Sequence, residues 1–371
     1  MRVVLCGYGH YGRRIATMLE EHDIVAICEP NTMTAALARQ EFPKVLITSD
    51  VSCLNSHDID IVWECGSVNN RKNVYQWAID KHLPIVLEKP LALTEDKLID
   101  FYGGRFTVNF REIYHPVIKM TKEYLHSEGR RLKAVSFIRT NTIAYEKAAV
   151  PKYREAVTGG SLLDKCIHDI ANLVFCIAPV EQFSIKKITV HKNIPNINYE
   201  TIDFSIKAHE KGHYEEDLYA EIEFIYQTPT QSIPVRVLSS WIGINPDQVY
   251  ASHPKIIKQA LWHANDTAKS NSTLYAPWHC KLMFAEFVSP TGDGTLIGST
   301  LERQGCSPFL LVKHNGRSDY IIPDNKQKRH IYNNFCNEVI NNANSATISH
   351  VQRLLDVHRI VFQLKHAIMS L

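Results

Sequence analysis

The fold is decided by the stretch Val3-Val4-Leu5-Cys6-Gly7-Tyr8-Gly9-His10-Tyr11-Gly12, in which an apolar run typical of a buried strand leads into the pattern G-x-G-x-x-G. A helical stretch, Arg13 to Glu21, follows it. The glycines permit a tight turn, close approach of backbone amides to a pyrophosphate, and close packing of helix on strand. The stretch predicts a dinucleotide-binding βαβ unit whose cofactor contacts are Gly7, Tyr8, Gly9, His10, Tyr11 and Gly12.

An acidic residue strengthens this interpretation. A second predicted strand, Ile24 to Cys28, ends in Glu29, about 20 residues after the middle glycine, where an acid can bind both ribose hydroxyls of the adenosine. Because an acid repels a 2′-phosphate, NAD is favoured over NADP, although Arg13 and Arg14 lie close enough to the turn to weaken that preference. The alternative is a glycine turn that serves only compact βαβ packing.

Strands continue to alternate with helices, at Lys44 to Ile47, Asp60 to Glu64 and Pro84 to Leu87. This alternation predicts a parallel, doubly wound sheet, in which the loops at the carboxyl ends of the strands line the cofactor crevice. Ser67 and Asn69, after the middle of these strands, are therefore candidate cofactor contacts. An ordinary surface loop is the alternative for Asn69.

Length and composition narrow the class of protein. The chain has 371 residues, more than one core normally supports, so two domains are expected. Lys and Arg number 41 against 39 Asp and Glu, without long runs of one sign, which argues against nucleic-acid and polybasic membrane partners. A small-molecule partner is favoured.

Cysteine usage and hydropathy indicate the compartment. The nine cysteines are scattered without a C-x-x-C pair, which argues against a disulfide framework or zinc ribbon and fits reduced core thiols. The chain starts on a strand and contains no run of about 18 apolar residues, so neither a signal peptide nor a membrane span is expected. We expect a soluble, cytoplasmic protein.

A second motif, Glu88-Lys89-Pro90, follows the buried run Pro84 to Leu87. A lysine after a strand is most often a solvated surface group. With the glycine pattern and Glu29 upstream, however, the motif resembles that of the glucose-fructose oxidoreductase, inositol dehydrogenase and MocA (Gfo/Idh/MocA) family. The resemblance implies that Glu88, Lys89 and Pro90 border the cofactor, that Lys89 reaches the reacting hydroxyl or carbonyl of the substrate, and that a cis peptide precedes Pro90.

The segment from Val108 to Pro116 resembles the crossover that ends the family's first domain. Asn109 stands where the family usually has glycine, and the family's arginine pair is reduced to Arg111, whereas Tyr114 and Pro116 are retained. The resemblance implies that Arg111 and Tyr114 contact substrate. It divides the chain into a Rossmann domain at 1–116 and a substrate-binding and oligomerisation domain at 117–371.

The second domain is predicted to be an α+β domain with a large, open, mostly antiparallel sheet, because several of its apolar runs alternate with polar residues. The predicted strands are Lys133 to Asn141, Ile185 to His191, Ile202 to Ala208, Leu218 to Tyr226, Val235 to Trp241, Leu282 to Val288 and Phe309 to Lys313. The family joins such sheets face to face, so a homodimer or homotetramer is expected. The aromatic-rich insertion at 242–280 is open to two interpretations, a substrate lining or an oligomer seal.

The chemical centre of this domain is predicted within Gly159 to Asp169. On a helix, Asp164 and His168 lie four residues apart and project together. Two alternatives are a capping box formed by Ser161 and Asp164, and a hydrogen-bonded interior histidine. Family members carry the same D-x-x-x-H pattern, which implies that His168 is the general acid or base and that Asp164 binds a neighbouring substrate hydroxyl. Lys165, a further candidate substrate contact, is expected on a different helix face.

These features together predict an NAD(P)-dependent oxidoreductase that acts on a secondary hydroxyl or ketone of a sugar, sugar derivative or cyclitol. The cofactor carries the redox step, so no metal is expected. A His209 and His213 site is disfavoured because the pair falls in a polar turn. Two other classes stay open: a dinucleotide-binding regulator without turnover, and a lyase or hydrolase that uses tightly bound NAD for a transient oxidation.

Overall fold

A computed structural model describes the backbone of residues 1–127, 129–140, 159–177, 179–191, 219–241, 280–301, 308–321 and 325–370. The chain forms two compact units. The first comprises Met1–Tyr114 with Asn325–His358, and the second comprises His115–Asp324 with Arg359–Leu371. Among the described helices, none has the length and apolarity that crossing a bilayer requires.

The first unit is built on a parallel sheet, as predicted. Its six described strands lie in the order β3-β2-β1-β4-β5-β6. Their bounds are β1 Arg2–Cys6, β2 Asp23–Cys28, β3 Leu46–Thr48, β4 Ile61–Glu64, β5 Ile85–Leu87 and β6 Phe106–Val108. All strands run the same way, so the residues that follow them (Gly7, Glu29, Cys65, Glu88 and Asn109) lie along one edge of the sheet.

Short helical segments connect these strands. The α-helices are α1 His10–Met18, α2 Thr32–Glu41 and α3 Arg71–Asp80, and the 3₁₀ turns are Val51–Cys53, Ser56–Asp58, Glu95–Phe101 and Arg111–Tyr114. The connection between β5 and β6 contains the 3₁₀ segment Glu95–Phe101, a form common in short connections.

The chain returns to the first unit near its end. Two helices, α6 Asn325–Asn344 and α7 Ile348–Met369, follow the second sheet. Apolar residues of α6, including Val339 and Ile340, are buried in one cluster with Leu5 of β1. The sequence placed all of 117–371 in the second domain. Residues 325–358 instead belong to the first unit, because helical periodicity shows that a helix has an apolar face but not which sheet covers it.

The second unit contains the predicted large sheet. Its eight described strands lie in the order β14-β13-β12-β11-β7-β10-β9-β8, antiparallel except for β7 with β10. Their bounds are β7 Arg131–Thr140, β8 Gln182–His191, β9 Tyr219–Gln227, β10 Ser232–Ser240, β11 Cys280–Ser289, β12 Gly292–Ser299, β13 Phe309–His314 and β14 Arg317–Ile321.

Two of these strands were not predicted. β12 is rich in glycine, and β14 is polar and exposed along its length, so neither carries an apolar alternation. The predicted strand at 202–208, the insertion at 242–279 and the pair His209 and His213 lie outside the described residues.

The helices of the second unit are α4 Pro116–His126 and α5 Ile167–Cys176, and α4 packs against α5, β12 and β13.

A buried ion pair fixes α5 to the sheet. The Arg139 guanidinium of β7 donates to the Asp169 carboxylate from Nε, at 3.0 and 3.1 Å, and from Nη2, at 2.6 Å. Both side chains are almost fully buried, so each charge depends on the other for its solvation.

We expect Arg139→Met to lower the free energy of unfolding by roughly 3–5 kcal/mol, because it leaves the Asp169 carboxylate buried without its guanidinium. The double variant Arg139→Met/Asp169→Leu should recover a large part of that loss, since it removes both charges. Urea unfolding followed by circular dichroism checks this. Equal destabilisation of the single and double variants would contradict it.

Candidate active site

The glycine-rich turn begins at Gly7, which follows β1. Its backbone has φ +90°, and its N–H donates to the carbonyl of Cys28 at 2.8 Å. A Cβ at this position would lie 2.6 Å from the nitrogen of Gly66 and 2.8 Å from the carbonyl carbon of Cys65. The turn therefore requires glycine here both for its backbone conformation and for the close approach of the loop after β4.

The other two glycines have different tasks. A Cβ on Gly12 would lie 2.0 Å from the carbonyl oxygen of Gly7, so Gly12 lets α1 pack against the turn. A Cβ on Gly9 would meet no described atom within 4 Å, and no described side chain caps α1 at this residue. The first backbone amides of α1 thus face an open cradle, which fits a pyrophosphate.

The side chains between the glycines differ in burial and in their contacts. Tyr8 is buried, its ring lies 5.9 Å from that of Phe42, and its hydroxyl donates to Glu41. Tyr8 can therefore offer only its main chain to a cofactor. His10 is exposed in the first turn of α1, and the hydroxyl of Tyr11 accepts a hydrogen bond from Asn109 at 3.0 Å.

Glu29 is held beside the turn at the end of β2. Its Oε2 accepts from the N–H of Tyr8 at 2.7 Å, and its Oε1 accepts from the N–H of Asn31 at 2.8 Å. Each carboxylate oxygen keeps a second lone pair, so the acid can still bind hydroxyl groups. The Arg13 guanidinium is engaged elsewhere, 2.5 Å from Glu41.

The loop after β4 is short and closed on itself. The N–H of Asn69 donates to the hydroxyl of Ser67 at 3.4 Å, and the N–H of Asn70 donates to the carbonyl of Ser67 at 3.0 Å. Ser67 and Asn69 are exposed and follow Gly66, which touches the glycine-rich turn. The structure thus brings this loop to the predicted cofactor edge, while the contacts themselves stay predictions.

Glu88 is a buried carboxyl at the same edge. The Asn109 amide Nδ2 donates to Glu88 Oε1 at 2.5 Å as well as to Tyr11, so α1, β5 and β6 are joined by one side chain. Burial raises the pKa of Glu88 to about 8, against the opposing effects of Asn109 and Arg71. Asn109, which departs from the family's glycine, is therefore a structural link that the sequence did not reveal.

Lys89 follows directly and is half-buried, and the peptide joining it to Pro90 is cis, as the resemblance implied. The carbonyl of Pro90 accepts from Nη1 of Arg71, and the N–H of Leu91 donates to His358 Nε2 at 2.9 Å. The lysine thus lies at the carboxyl end of β5 in a segment bonded to α3 and to α7.

The crossover residues are placed differently from each other. Tyr114 is buried, with its ring 5.8 Å from that of Phe335 and its hydroxyl accepting from Asn342 at 2.9 Å. These contacts make Tyr114 a packing residue between the first sheet and α6. Arg111 is half-buried, and its charge lowers the pKa of Tyr11, which burial raises, so Arg111 lies near the cofactor edge.

In the second unit, a glycine pair leads into the helix that carries the candidate acid and base. Gly159 and Gly160 have φ of +75° and +79°, and a Cβ on Gly159 would lie 2.2 Å from Leu163. Ser161 is already helical, and its hydroxyl donates to the carbonyl of Ser239 at 3.4 Å. The capping-box alternative is wrong, because Ser161 anchors the helix to β10 and makes no capping bond.

A π-helical turn, Leu162–Cys166, precedes α5, so Asp164 and His168 do not lie on the regular α-helix that the spacing predicted. Asp164, Lys165 and His168 are nevertheless half-buried, whereas the residues between and beside them are buried. Lys165 is next to Asp164 in the π turn, and its Nζ lies 3.4 Å from Asp164 Oδ2. That Lys165 occupies a different helix face stays a prediction.

Trp241 is a site residue that sequence reasoning missed. Its indole Nε1 donates to Asp164 Oδ2 at 2.9 Å, and its side chain is fully buried at the end of β10. A buried tryptophan needs a partner for its N–H, and this requirement is the one signal that pointed to a polar neighbour. Asp164 is therefore oriented by Trp241 and Lys165 before any substrate is considered.

Comparison with known proteins agrees with these observations. Residues 1–101 match the sequence profile of the Gfo/Idh/MocA group, described as an oxidoreductase family with an NAD-binding Rossmann fold. The match confirms the resemblance inferred from the glycine pattern and Glu88-Lys89-Pro90. In sequence, no curated protein matches the chain significantly.

Solved structures match over nearly the whole chain at low identity, which shows the fold. UDP-N-acetylglucosamine 3-dehydrogenase GnnA from Acidithiobacillus ferrooxidans has a TM-score of 0.66 at 12% identity, with 99% of this chain and 97% of that chain covered. The 3-ketoreductase KijD10 from Actinomadura kijaniata, in complex with NADP and TDP-benzene, has a TM-score of 0.62 at 14% identity, with 97% of this chain and 95% of that chain covered. Biliverdin reductase from Synechocystis sp. PCC 6803, in complex with biliverdin and NADP+, has a TM-score of 0.61 at 14% identity, with 99% of this chain and 98% of that chain covered.

The glycines give a matched pair of variants. We expect Gly9→Ala to fold normally and to weaken NAD(P)H binding about tenfold, because the new methyl group enters the open cradle. Gly7→Ala should instead lower the melting temperature, because its Cβ overlaps Gly66 at positive φ. Thermal unfolding and fluorescence titration with NADH and NADPH separate the two effects. Unchanged binding in Gly9→Ala would show that the cradle does not hold the cofactor.

Proposed function

We propose that the protein is an NAD(P)-dependent dehydrogenase or reductase acting on CH–OH groups, because its residues 1–101 match the Gfo/Idh/MocA family of oxidoreductases. The observation that carries this proposal is the edge of the first sheet. The glycine cradle after β1, Glu29 after β2 and Lys89 after β5 all lie at the carboxyl ends of parallel strands. A cofactor cradle and a cationic hydrogen-bond donor on one edge support hydride transfer at a carbon bearing oxygen.

The cradle fits a dinucleotide, and the bound nicotinamide supplies the hydride acceptor or donor. Glu29 supports NAD, because a carboxylate repels a 2′-phosphate and Arg13, one of the two arginines near the turn, is paired with Glu41. Two of the structurally similar proteins are complexes with NADP or NADP+. We therefore propose NAD as the preferred cofactor, with NADP as the alternative.

Lys89 is proposed to act on the reacting oxygen of the substrate. Its ammonium group donates a charge-assisted hydrogen bond to that oxygen and stabilises the negative charge that develops there as hydride leaves carbon. In the opposite direction, the same bond polarises the carbonyl. This role is implied by the family motif and is supported by the position of Lys89 at the end of β5.

His168 is proposed as the general acid and base. An imidazole titrates near neutrality, so it can take the hydroxyl proton during oxidation and return it during reduction. Asp164 is proposed to accept a hydrogen bond from a neighbouring substrate hydroxyl, with its carboxylate oriented by Trp241. Lys165, which is paired with Asp164, is a further substrate contact in this proposal, as is Arg111 of the first unit.

The proposed substrate is a sugar, a sugar derivative or a cyclitol. GnnA is a UDP-N-acetylglucosamine 3-dehydrogenase, which favours a sugar, whereas biliverdin reductase shows that the fold also serves other substrates. A homodimer or homotetramer through the second sheet remains part of the proposal.

Two other functions stay as alternatives, a regulator that binds the dinucleotide without turnover and a lyase or hydrolase that oxidises its substrate transiently. Retention of Lys89, Asp164 and His168 together favours chemistry over regulation. A steady-state assay with sugars, nucleotide sugars and inositols separates the three. NAD(P)H accumulation supports a dehydrogenase, product without net NAD(P)H supports transient oxidation, and binding without turnover supports a regulator.

We expect Lys89→Ala and His168→Ala each to lower kcat at least about a hundredfold while leaving NAD(P) affinity within a few fold, because both act on the substrate oxygen. Steady-state kinetics with the best substrate of the panel, together with cofactor titration, measures both quantities. Full activity in either variant would contradict the assigned role.

We expect Glu29→Ala to weaken NAD binding and to reduce discrimination against NADP, because the variant lacks the carboxylate that would repel a 2′-phosphate. The ratio of the two dissociation constants, measured for wild type and variant, checks this. An unchanged ratio would show that Glu29, which accepts two backbone hydrogen bonds, serves only the turn.

A further inference from the structure

We propose that Arg71 and His358 are positioning residues for Lys89, which they hold through main-chain atoms of the two residues that follow it. Arg71 bonds the carbonyl of Pro90, and His358 bonds the amide of Leu91. The inference deepens the proposed function, since it rests on the assigned role of Lys89. It concerns two side chains that belong to neither of the motifs.

Arg71 reaches the segment from the first turn of α3. Its Nε donates to Glu64 Oε2 at 2.5 Å, its Nη1 donates to the carbonyl of Pro90, and its Nη2 donates to the carbonyl of Gly66 at 3.3 Å. The guanidinium is almost fully buried. Because its donors are fixed in one plane, three bonds to two chain segments, 64–66 and Pro90, determine its place, and the carbonyl of Pro90 is held with it.

His358 reaches the same segment from α7. Its Nε2 accepts the N–H of Leu91 at 2.9 Å, and its Nδ1 lies 2.7 Å from the carbonyl of Leu354, so the proton is on Nδ1. The ring is fully buried, 5.7 Å from that of Phe110. Burial lowers the pKa of His358 to about 4, which keeps the ring neutral and Nε2 able to accept.

The consequence for Lys89 follows from the length of its side chain. A lysine carries its ammonium group on a flexible four-carbon stem, so the place of Nζ depends on a fixed Cα and on the walls around the stem. Catalytic groups need positions held within about 0.5 Å, and displacements of about 1 Å can lower rates a hundredfold. Bonds to the carbonyl of Pro90 and the amide of Leu91 provide such a fixed backbone directly beside the lysine.

The same helix offers a matched control. His350 lies eight residues before His358 on α7, and its Nε2 lies 3.1 Å from the hydroxyl of Thr107 in β6. Burial also lowers the pKa of His350 to about 4. A variant of His350 therefore removes a comparable bond between α7 and the first sheet without touching the segment after Lys89.

The test compares His358→Phe, His358→Gln and His350→Phe in the full chain. Phenylalanine keeps the ring but has no acceptor for the N–H of Leu91, whereas the glutamine side-chain oxygen can accept it. Three readouts are used: hydrogen exchange of the Leu91 amide, the rate at which N-hydroxysuccinimide acetate acetylates Lys89, and kcat beside the NAD(P) dissociation constant. The first two do not depend on turnover.

For His358→Phe we expect at least about tenfold faster exchange at Leu91, a several-fold change in Lys89 acetylation, and about a tenfold or greater fall in kcat with cofactor affinity nearly unchanged. His358→Gln should largely restore the exchange rate of the Leu91 amide, the acetylation rate of Lys89 and kcat. His350→Phe should leave these three quantities near their wild-type values. Arg71→Lys, which keeps a cation beside Glu64 but not the planar fork, should resemble His358→Phe.

Three results would overturn the proposal: unchanged Lys89 acetylation despite faster exchange at Leu91, unchanged kcat in His358→Phe, or equal effects of His350→Phe. If the wild type turns over no CH–OH substrate, the proposed function fails. In that case, exchange and acetylation still decide whether His358 and Arg71 hold Lys89.

Discussion

The first unit depends on one buried charge. Arg71 is a guanidinium almost without solvent contact, and Glu64 and two main-chain carbonyls take the place of water around its charge. Its partners come from the end of β4, the loop that abuts the glycine-rich turn, and the segment after β5. The requirement to solvate one cation thus draws together the backbone segments that form the edge of the sheet.

The second unit meets a similar requirement with Arg139 and Asp169, which fix α5 to β7 beside the candidate base. Around it, polar atoms on the sheet determine where the helix begins and how its acid points, through Ser239 and Trp241. In both units the candidate chemical groups are half-buried, while the residues that orient them are fully buried. Rigid, buried polar partners and accessible reacting groups are the arrangement expected of an active site.

The sequence predicted what local pattern encodes. The turn at Gly7, the acid at Glu29 and the lysine after β5 each follow from a motif within a short stretch, and both sheets follow from the change of periodicity. It did not predict pairings between distant segments. Trp241 lies 77 residues from Asp164, and His358 lies 267 residues from Leu91. The spacing of residues along the sequence gives no indication that such distant residues are in contact. The π turn before α5 was missed because α-helical and π-helical turns share the same apolar residues.

Residues 325–358 pack on the first unit, which has a consequence for folding during translation. Helix α6 contributes Val339 and Ile340 to the cluster that buries Leu5, and α7 contributes the acceptor for Leu91. During synthesis, part of the apolar face of the first sheet therefore stays uncovered until residues 325–358 have been synthesised. The two units cannot mature strictly in the order of translation, and the nascent first sheet is the surface that a chaperone would have most reason to shield.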